Sequence, residues 1–143
     1  MEKKYKLTDE TIKIIDRTLH RIEALKDFGD VKKGDKGGFI EDEYNLSHKV
    51  DSWVCDNTRV YVNARVCGDA KIENNSDYIV FKNWWSSGRY FTWTRSNDMW
   101  KVGCFYGNGD ELIKKAYKDS KLIGREYERI VKYVEEIKKE NGK

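Results

Sequence analysis

Histidine and cysteine are the residues of this sequence that most often support catalysis or metal binding. The chain has two histidines, His20 and His48, and three cysteines, Cys55, Cys67 and Cys104. The cysteines lie 12 and 37 residues apart, which fits neither a disulfide framework nor a CxxC metal site. We therefore expect reduced thiols and satisfied or solvated histidines, with no catalytic or metal-binding constellation.

Three glycines, Gly34, Gly37 and Gly38, raise the question of a phosphate-binding loop. A P-loop requires the order GxxxxGK[ST], which supplies both the backbone cradle and the lysine. Residues 33–38 lack that order, so we expect a turn that leads into a strand at 37–40. The GxSxG nucleophile motif is also missing from the sequence. The sequence accordingly predicts a protein that is not an enzyme and uses no cofactor.

A six-residue repeat is the strongest pattern in the chain. A small residue is followed two positions later by an aliphatic or aromatic residue, five times in succession. These pairs are Ser52/Val54, Thr58/Val60, Ala64/Val66, Ala70/Ile72 and Ser76/Tyr78. Alternate residues of a strand point the same way, so both members of each pair should face inward. The Asn, Asp and Gly residues between the pairs tolerate the left-handed backbone of tight corners.

Three such hexads would complete one turn of a β-helix, so that residues three hexads apart stack on each other. The stacked pairs would be Trp53 with Lys71, Arg59 with Asp77, and Val60 with Tyr78. The repeat supplies only about one and a third turns, which leaves strand edges open at both ends. We therefore expect caps on these edges or self-association into a homo-oligomer.

The segment at residues 11–25 fits two structures. Ile15, Leu19 and Ile22 have the spacing of a helix face. The same stretch also fits two short strands that turn at Asp16-Arg17, and its β-branched residues favour this hairpin.

Aromatic residues concentrate after the repeat and indicate a β-hairpin that caps it. Its strands would be residues 90–95 and 99–105. Two helices should follow: the first at about residues 111–118 with Asp110 as its N-cap, the second beginning at Asp119 or Ser120.

The predicted fold class is mainly β (α+β): a truncated left-handed β-helix of hexapeptide rungs, an aromatic β-hairpin cap and two C-terminal helices. A β domain would span residues 1–107, and a helical segment at 108–143 would pack on the same domain. Within the β domain, the predicted parts are N-terminal strands at 1–47, rungs at 48–77 and the cap at 78–107.

Trp, Tyr and Arg are the residue types that most often anchor interfaces or stack on bases. The candidate contacts to protein or nucleic acid are Trp84, Trp85, Arg89, Arg95, Arg59, Arg65 and Lys71. Adjacent residues of an extended segment face opposite ways, so one of Trp84 and Trp85 should be exposed. Solvation of the outward cations, and burial of Trp93 and Trp100 in a core, are the alternatives to a binding role.

The charge balance sets weak limits on partners. The net charge is +3, from 28 basic and 25 acidic residues, which permits nucleic-acid contact but does not require it. An acidic DNA mimic is disfavoured. Apolar runs are too short to span a bilayer, and the N-terminus has no secretion signal, so we expect a cytoplasmic protein without membrane contact.

Several motifs along nearly the whole chain are similar to those of one protein group. They are Tyr5-Lys6-Leu7-Thr8-Asp9-Glu10, Gly37-Gly38-Phe39-Ile40-Glu41, Asn45-Leu46-Ser47, Trp53-Val54, Arg59-Val60-Tyr61, Arg65-Val66, Trp84-Trp85-Ser86-Ser87-Gly88-Arg89, Phe91-Thr92-Trp93-Thr94-Arg95 and Gly103-Cys104-Phe105-Tyr106-Gly107. On these motifs the chain resembles small phage and prophage hexapeptide-repeat proteins of Gram-positive bacteria, which are polymer-forming-like β-helix proteins. It departs from their pattern at Val62, where the repeat usually has glycine, and at Asp16-Arg17, which lacks the hairpin glycine.

The resemblance implies a phage-type context, in which small proteins frequently disable host defence. It predicts a non-enzymatic inhibitor of a bacterial defence component, such as an anti-CRISPR protein that blocks a nuclease sterically. The partner would be the defence protein or its nucleic-acid complex in the host cytoplasm. Two alternatives stay open: a nucleotide-binding sponge against immune signalling, and a structural phage component.

Overall fold

The computed structural model describes residues 2–85 and 88–141 and has a mixed α+β architecture. Its strands are β1 (Tyr5–Ile14), β2 (Arg17–Ala24), β3 (Lys36–Ile40), β4 (Trp53–Val54), β5 (Arg59–Val60), β6 (Lys71–Ile72), β7 (Tyr78–Lys82), β8 (Tyr90–Thr94), β9 (Met99–Val102) and β10 (Phe105–Gly107). Its helices are α1 (Gly109–Asp119) and α2 (Lys121–Asn141). The sheets have the orders β1-β2-β3-β5, β10-β9-β8-β7 and β4-β6.

The N-terminal segment forms the hairpin, and the helical alternative is wrong. β1 and β2 pair antiparallel, with Ile14 opposite Arg17, so that Ile15 and Asp16 form the turn. Ile15 adopts the left-handed conformation, with φ of 58°, and is 95% exposed. The turn therefore lies one residue before the predicted Asp16-Arg17. A two-residue hairpin turn needs positive φ, and here a β-branched residue, Ile15, adopts it.

The hexad region forms two stacked layers of very short parallel strands. β3 pairs with β5, Leu46 forms a bridge with Val66, and β4 pairs with β6. We call residues 39–40, 46 and 53–54 the first layer, and residues 59–60, 66 and 71–72 the second layer. The predicted stacking of Trp53 with Lys71 is confirmed.

The inward aliphatic residues of the repeat do share one core. Val54, Val60, Val66 and Ile72 are fully buried in a single cluster, together with Ala64 and Ala70. Val62 adopts φ of 63°, a left-handed conformation that glycine adopts more readily than a β-branched residue. Gly37 and Gly38 lie within β3, where a Cβ atom would collide with the carbonyl oxygens of residues 54 and 58.

Side chains end the stack above the second layer. Each outward residue of this layer donates its backbone N–H to a side-chain oxygen of a later segment, at 2.8–3.0 Å. The pairs are Arg59 with Asn75 Oδ1, Arg65 with Thr92 Oγ1, and Lys71 with Ser96 Oγ. The predicted stacking of Arg59 with Asp77 and of Val60 with Tyr78 is therefore wrong, and Tyr78 pairs instead with Thr94 in β7 and β8.

The first layer is closed from the other side by the N-terminal hairpin. β2 pairs antiparallel with β3. The Tyr5 hydroxyl donates to the Leu46 carbonyl at 2.7 Å, and the Lys4 ammonium donates to the Ser52 carbonyl at 2.6 Å. Backbone groups that another turn of a solenoid would pair are thus occupied at both ends.

The predicted left-handed β-helix is consequently wrong as a fold class. Residues 2–85 and 88–141 contain no closed solenoid, and most of the strand pairing is antiparallel, within two four-stranded sheets. A third layer cannot pair with the second because the amides of that layer already donate to side-chain oxygens. The chain then leaves the stack and forms a different sheet.

The aromatic region builds a second core instead of a simple cap. The predicted hairpin of β8 and β9 is confirmed, but it is the centre of an antiparallel sheet that packs against both helices. Along β7 the side chains alternate: Tyr78 and Val80 pack on the first core, while Ile79 and Phe81 pack on the second. β7 is therefore the shared wall between the two cores, and Trp93 and Trp100 are buried as expected.

Both predicted helices are present with small changes at their ends. Asn108, rather than Asp110, is the N-cap of α1: its side chain accepts from the Glu111 N–H, and Glu111 accepts from the Asn108 N–H. Ser120 precedes α2 and its hydroxyl accepts from the Ile123 N–H, as expected for one of the two predicted starts.

We expect the substitution Val66→Asp to prevent folding. Val66 is fully buried among apolar side chains, and an unpaired carboxylate there costs several kcal/mol, on the order of the whole stability of a small domain. Circular dichroism and urea unfolding measure the effect. Val50→Asp, at an exposed turn position, is the matched control and should stay folded. A cooperative native-like transition in the Val66→Asp variant would contradict a shared core.

We expect Ile15→Gly to raise the free energy of unfolding by about 1 kcal/mol, because glycine removes the left-handed strain without losing packing. Lys13→Gly is the control: it lies within β1, where glycine should destabilise by about 0.5–1 kcal/mol. The readout is the urea midpoint of each variant. A lower midpoint for Ile15→Gly would show that the turn carries no such strain.

Candidate functional site

An exposed tryptophan marks the clearest binding surface of the molecule. Trp84 follows the end of β7 and is 73% exposed, whereas its neighbour Trp85 is half-buried against the second core. The expectation that one member of this pair is exposed is confirmed. The other tryptophans, at positions 53, 93 and 100, are buried.

The loop that carries Trp84 is held at its base by Asn83. This residue is almost completely buried, its side-chain oxygen accepts from the Gly88 N–H at 2.9 Å, and its own N–H donates to the Arg89 carbonyl at 2.8 Å. Both ends of the loop are therefore fixed to one another. Residues 86 and 87, which fall within the predicted contact segment 84–95, lie outside the described residues.

A chain of packed aromatic rings connects Trp84 to the second core. Its ring meets that of Trp85 edge to face, with centroids 5.8 Å apart. Trp85 in turn packs on Phe91 at 6.3 Å and on Tyr127 of α2 at 5.7 Å. Edge-to-face pairs add about 0.5–1.5 kcal/mol beyond area burial, so this chain of rings holds Trp84 against the body of the protein.

Trp84 forms one side of a shallow groove between β7 and α2, with a volume of about 340 Å³. We call it the Trp84 groove; its lining is Phe81, Lys82, Trp84, Trp85, Glu126, Arg129, Ile130 and Tyr133. Tyr133 is 53% exposed and its ring meets Phe81 edge to face at 5.9 Å. The groove thus presents two large exposed rings with a mostly apolar floor.

Charges at the groove have unequal exposure. Glu126 is almost buried and is paired with Arg129 at 2.8 Å, while the guanidinium side of this pair faces solvent. Lys82 is exposed at the opposite rim. The outer rim therefore has two exposed cations around an aromatic centre, and Trp, Tyr and Arg are the residue types enriched at interface hot spots.

The predicted arginines of the aromatic segment lie elsewhere. Arg89 lines a second cavity between β9, β10 and α1. Arg95 has a structural role: it donates to the Ser76 carbonyl at 3.1–3.2 Å and stacks over the ring of Trp93 at 5.2 Å. The structure therefore places Trp84 and Trp85 in one groove, and neither Arg89 nor Arg95 lines that groove.

Two of the three outward cations of the repeat, Arg65 and Lys71, make contacts within the protein. Arg65 donates to the Gly103 carbonyl at 3.2 Å and stacks over Tyr44 at 4.7 Å. Lys71 pairs with Asp30 at 2.6 Å on the surface. Arg59 alone of the three has an exposed side chain for which the described residues provide no charged partner. These cations do not form a common patch with Trp84.

Both histidines are hydrogen-bonded within the protein. The Lys4 N–H donates to His48 Nδ1 at 3.2 Å, so the ring hydrogen resides on Nε2, which donates to Glu43 at 2.7 Å. This hydrogen bond from His48 lowers the pKa of the Glu43 carboxyl. The His48 ring stacks on Tyr5 at 4.1 Å, and His20 contacts the Thr8 carbonyl at 3.1 Å.

Lys4 is a buried charged residue whose burial gave no signal in the sequence. Its side chain is 0% exposed, and its ammonium donates to Ser52 and to the Val50 carbonyl while lying over the ring of Phe28. Burial lowers the pKa of Lys4 to about 8, and nearby Asp51 opposes part of the shift. Burial also raises the pKa of the Cys55 and Cys67 thiols, which makes them poor nucleophiles.

Within residues 2–85 and 88–141, no three His, Cys, Asp or Glu side chains are placed to hold a metal ion. The described helices include none long and apolar enough to cross a membrane. No known family model matches the sequence, and no curated protein matches it. The resemblance to phage proteins therefore stays a prediction, and the proposals below depend mainly on the geometry.

Lys4 gives a testable dependence of stability on pH. Its pKa is lower in the folded protein than in the unfolded chain, so above about pH 8 the unfolded state binds more protons and stability rises with pH. Relative to Lys4→Met, the wild type should gain about 1 kcal/mol between pH 8 and pH 9. Urea unfolding at pH 7, 8 and 9 provides the measurement. Because both proteins share the same tyrosines and cysteines, other titrations cancel, and a constant difference would contradict the assignment.

Proposed function

We propose that this protein is a non-enzymatic binding protein that inhibits a bacterial defence component through the Trp84 groove. A CRISPR nuclease is the first target to test, as the resemblance to phage proteins predicts. The action would be steric and would take place in the cytoplasm of the host cell. The observation that carries the proposal is the exposure of Trp84 on a rigid aromatic support.

Exposure of this kind is costly and is unusual unless another surface covers it. A tryptophan ring carries some 150–250 Å² of mostly apolar area, and the chain buries its other indoles wholly or in large part. Together with Tyr133, Phe81 and Ile130 it forms a contiguous apolar patch rather than one scattered ring. An aromatic anchor that becomes buried on binding, with an Arg nearby, is typical of interface hot spots.

The groove also suggests the character of the partner. Lys82 and Arg129 flank the rings, so an acidic rim around an apolar pocket or knob would complement it. The loop is fixed at Asn83, and Trp84 already packs edge to face on Trp85 in the free protein, which limits the side-chain entropy lost on binding. A preorganised wedge of this kind can block a nuclease without chemistry.

Self-association is a separate prediction, and the structure removes the main reason for it. It was based on open edges of the hexad stack, and these edges are occupied by side chains at both ends. A role as a structural phage component predicts incorporation into purified virions. A homo-oligomer that buries the Trp84 groove would compete with the binding of a host protein.

We expect Trp84→Ala to weaken binding to the target nuclease by about 1–2 kcal/mol or more, which is roughly 5- to 30-fold or more. The measurement is inhibition of DNA cleavage by a purified CRISPR nuclease over a range of inhibitor concentrations, with affinities from calorimetry. Leu122→Ala is the control: it removes a half-exposed apolar side chain, located on α2, that does not line the groove.

The melting temperature of Trp84→Ala should stay close to that of the wild type, because the ring is mostly exposed. Equal inhibition by Trp84→Ala and wild type would rule out the groove as the contact surface. If wild-type protein leaves nucleases of every tested type fully active and is recovered only in virions, the inhibitor proposal is wrong and the structural role is favoured.

A further inference from the structure

A second concave site lies on the other side of the aromatic core. It is a cavity of about 480 Å³ between α1 and the β9-β10 turn, within the range of small-molecule sites, roughly 300–1,000 Å³. Its apolar wall includes Leu112, Phe105 and Tyr127. We call it the Arg89 cavity. None of its lining residues lines the Trp84 groove.

Two cationic side chains from different elements border this cavity. Arg89 precedes β8, and Lys115 lies on α1. Among the described residues, neither the Arg89 guanidinium nor the Lys115 ammonium has an ion-pair or hydrogen-bond partner. In contrast, Arg17, Arg21 and Lys138 are each paired with a carboxylate. The cavity therefore holds two positive charges that are available to a ligand.

The Arg89 side chain lies over the turn at Gly103. Gly103 has φ of 55°, and a Cβ atom at this position would lie 3.3 Å from Arg89 Nε. Arg65 donates to the Gly103 carbonyl at 3.2 Å and fixes the turn from the other side. The Asn83 N–H also donates to the Arg89 carbonyl. Arg89 thus lies along a turn whose backbone is fixed, and its own backbone is anchored at the mouth of the cavity.

One carboxylate completes the polar lining. Asp119 is the last residue of α1, where the helix dipole disfavours a negative charge. It lies four residues after Lys115 on the same helix, yet the two do not form an ion pair in the described structure. An acceptor therefore faces the same cavity as the two donors, and the cavity carries a net charge of +1 from these three groups.

We propose that the Arg89 cavity binds a small organic anion that has a planar apolar body and a hydrogen-bond donor. The anionic group would accept from Arg89 and Lys115, since guanidinium and ammonium bind carboxylates and phosphates through charge-assisted hydrogen bonds. The planar body would lie against Leu112, Phe105 and Tyr127. A hydroxyl or amino group of the ligand would donate to Asp119.

The anionic group could be a phosphate or a carboxylate, and two probes separate these sources. Adenosine 5′-monophosphate represents the first, and 4-hydroxyphenylacetate represents the second. Titration of the full chain by calorimetry and by amide chemical shifts should show binding of at least one probe below 1 mM, with shifts at residues of α1 and the β9-β10 turn. Binding of both probes, or of either alone, supports the site and identifies the group that it accepts.

Charge-removing variants locate the bound probe. Arg89→Gln and Lys115→Gln should each weaken binding about tenfold or more, the usual size of a lost charge-assisted hydrogen bond. Arg95→Gln, an arginine outside the cavity, is the matched control and should bind the probe like the wild type. Absence of binding by both probes at 1 mM, or binding that Arg89→Gln and Lys115→Gln leave unchanged, would overturn the proposal.

This site and the proposed inhibitory function fail independently. Lys115→Gln should leave nuclease inhibition at the wild-type level, because Lys115 does not line the Trp84 groove. Trp84→Ala should leave probe binding at the wild-type level for the same reason. Loss of probe binding in Trp84→Ala would contradict two separate sites.

Discussion

The short parallel stack depends on one constraint: its terminal layers must satisfy backbone groups that no further layer can pair. An unpaired N–H or C=O that is shielded from water costs about as much as a lost hydrogen bond, and open strand edges also invite pairing with other chains. Here Asn75, Thr92 and Ser96 accept the amides above the second layer. The hydroxyl of Tyr5 and the ammonium of Lys4 donate to carbonyls of the first layer. Desolvation of the buried Lys4 ammonium costs free energy, and the lowered pKa of this amine reflects that cost.

The same caps explain which parts of the fold could be predicted from the sequence. The inward side chains of the repeat recur every six residues, so the shared core and the pairing of Trp53 with Lys71 follow from local spacing. The caps follow no local pattern: Thr92 lies 27 residues from Arg65, and Lys4 lies 48 residues from Ser52. A Thr or Ser that accepts from a distant amide is indistinguishable in sequence from any solvated hydroxyl. The length of the stack, and with it the fold class, was therefore not predictable from the repeat.

For the candidate site, the alternating orientation of adjacent side chains predicted which residue is exposed, whereas residue type alone did not predict the contact residues. The opposite orientations of Trp84 and Trp85 follow from their adjacency, and the structure places Trp84 outside. The arginines were selected by type, and Arg65 and Arg95 instead hold the turn at Gly103 and the segment at Ser76. Tyr133 was not among the predicted contact residues, because the sequence does not show what packs beside its face of α2. Only the position of β7 beside that face makes it part of a groove.

The second core gives the two candidate surfaces a common wall. Trp85 packs on Tyr127, and Tyr127 also lines the Arg89 cavity. Phe91 contacts both of these rings, at 6.3 Å and 4.8 Å, so the three form one cluster between the groove and the cavity. Close-packed aromatic rings have few alternative arrangements, so this cluster is a fixed wall between the two surfaces. The first core and its capped stack supply the fixed base for this cluster, because β7 contributes side chains to both cores. Trp84 lies only two residues after the end of β7, so this strand also positions the groove.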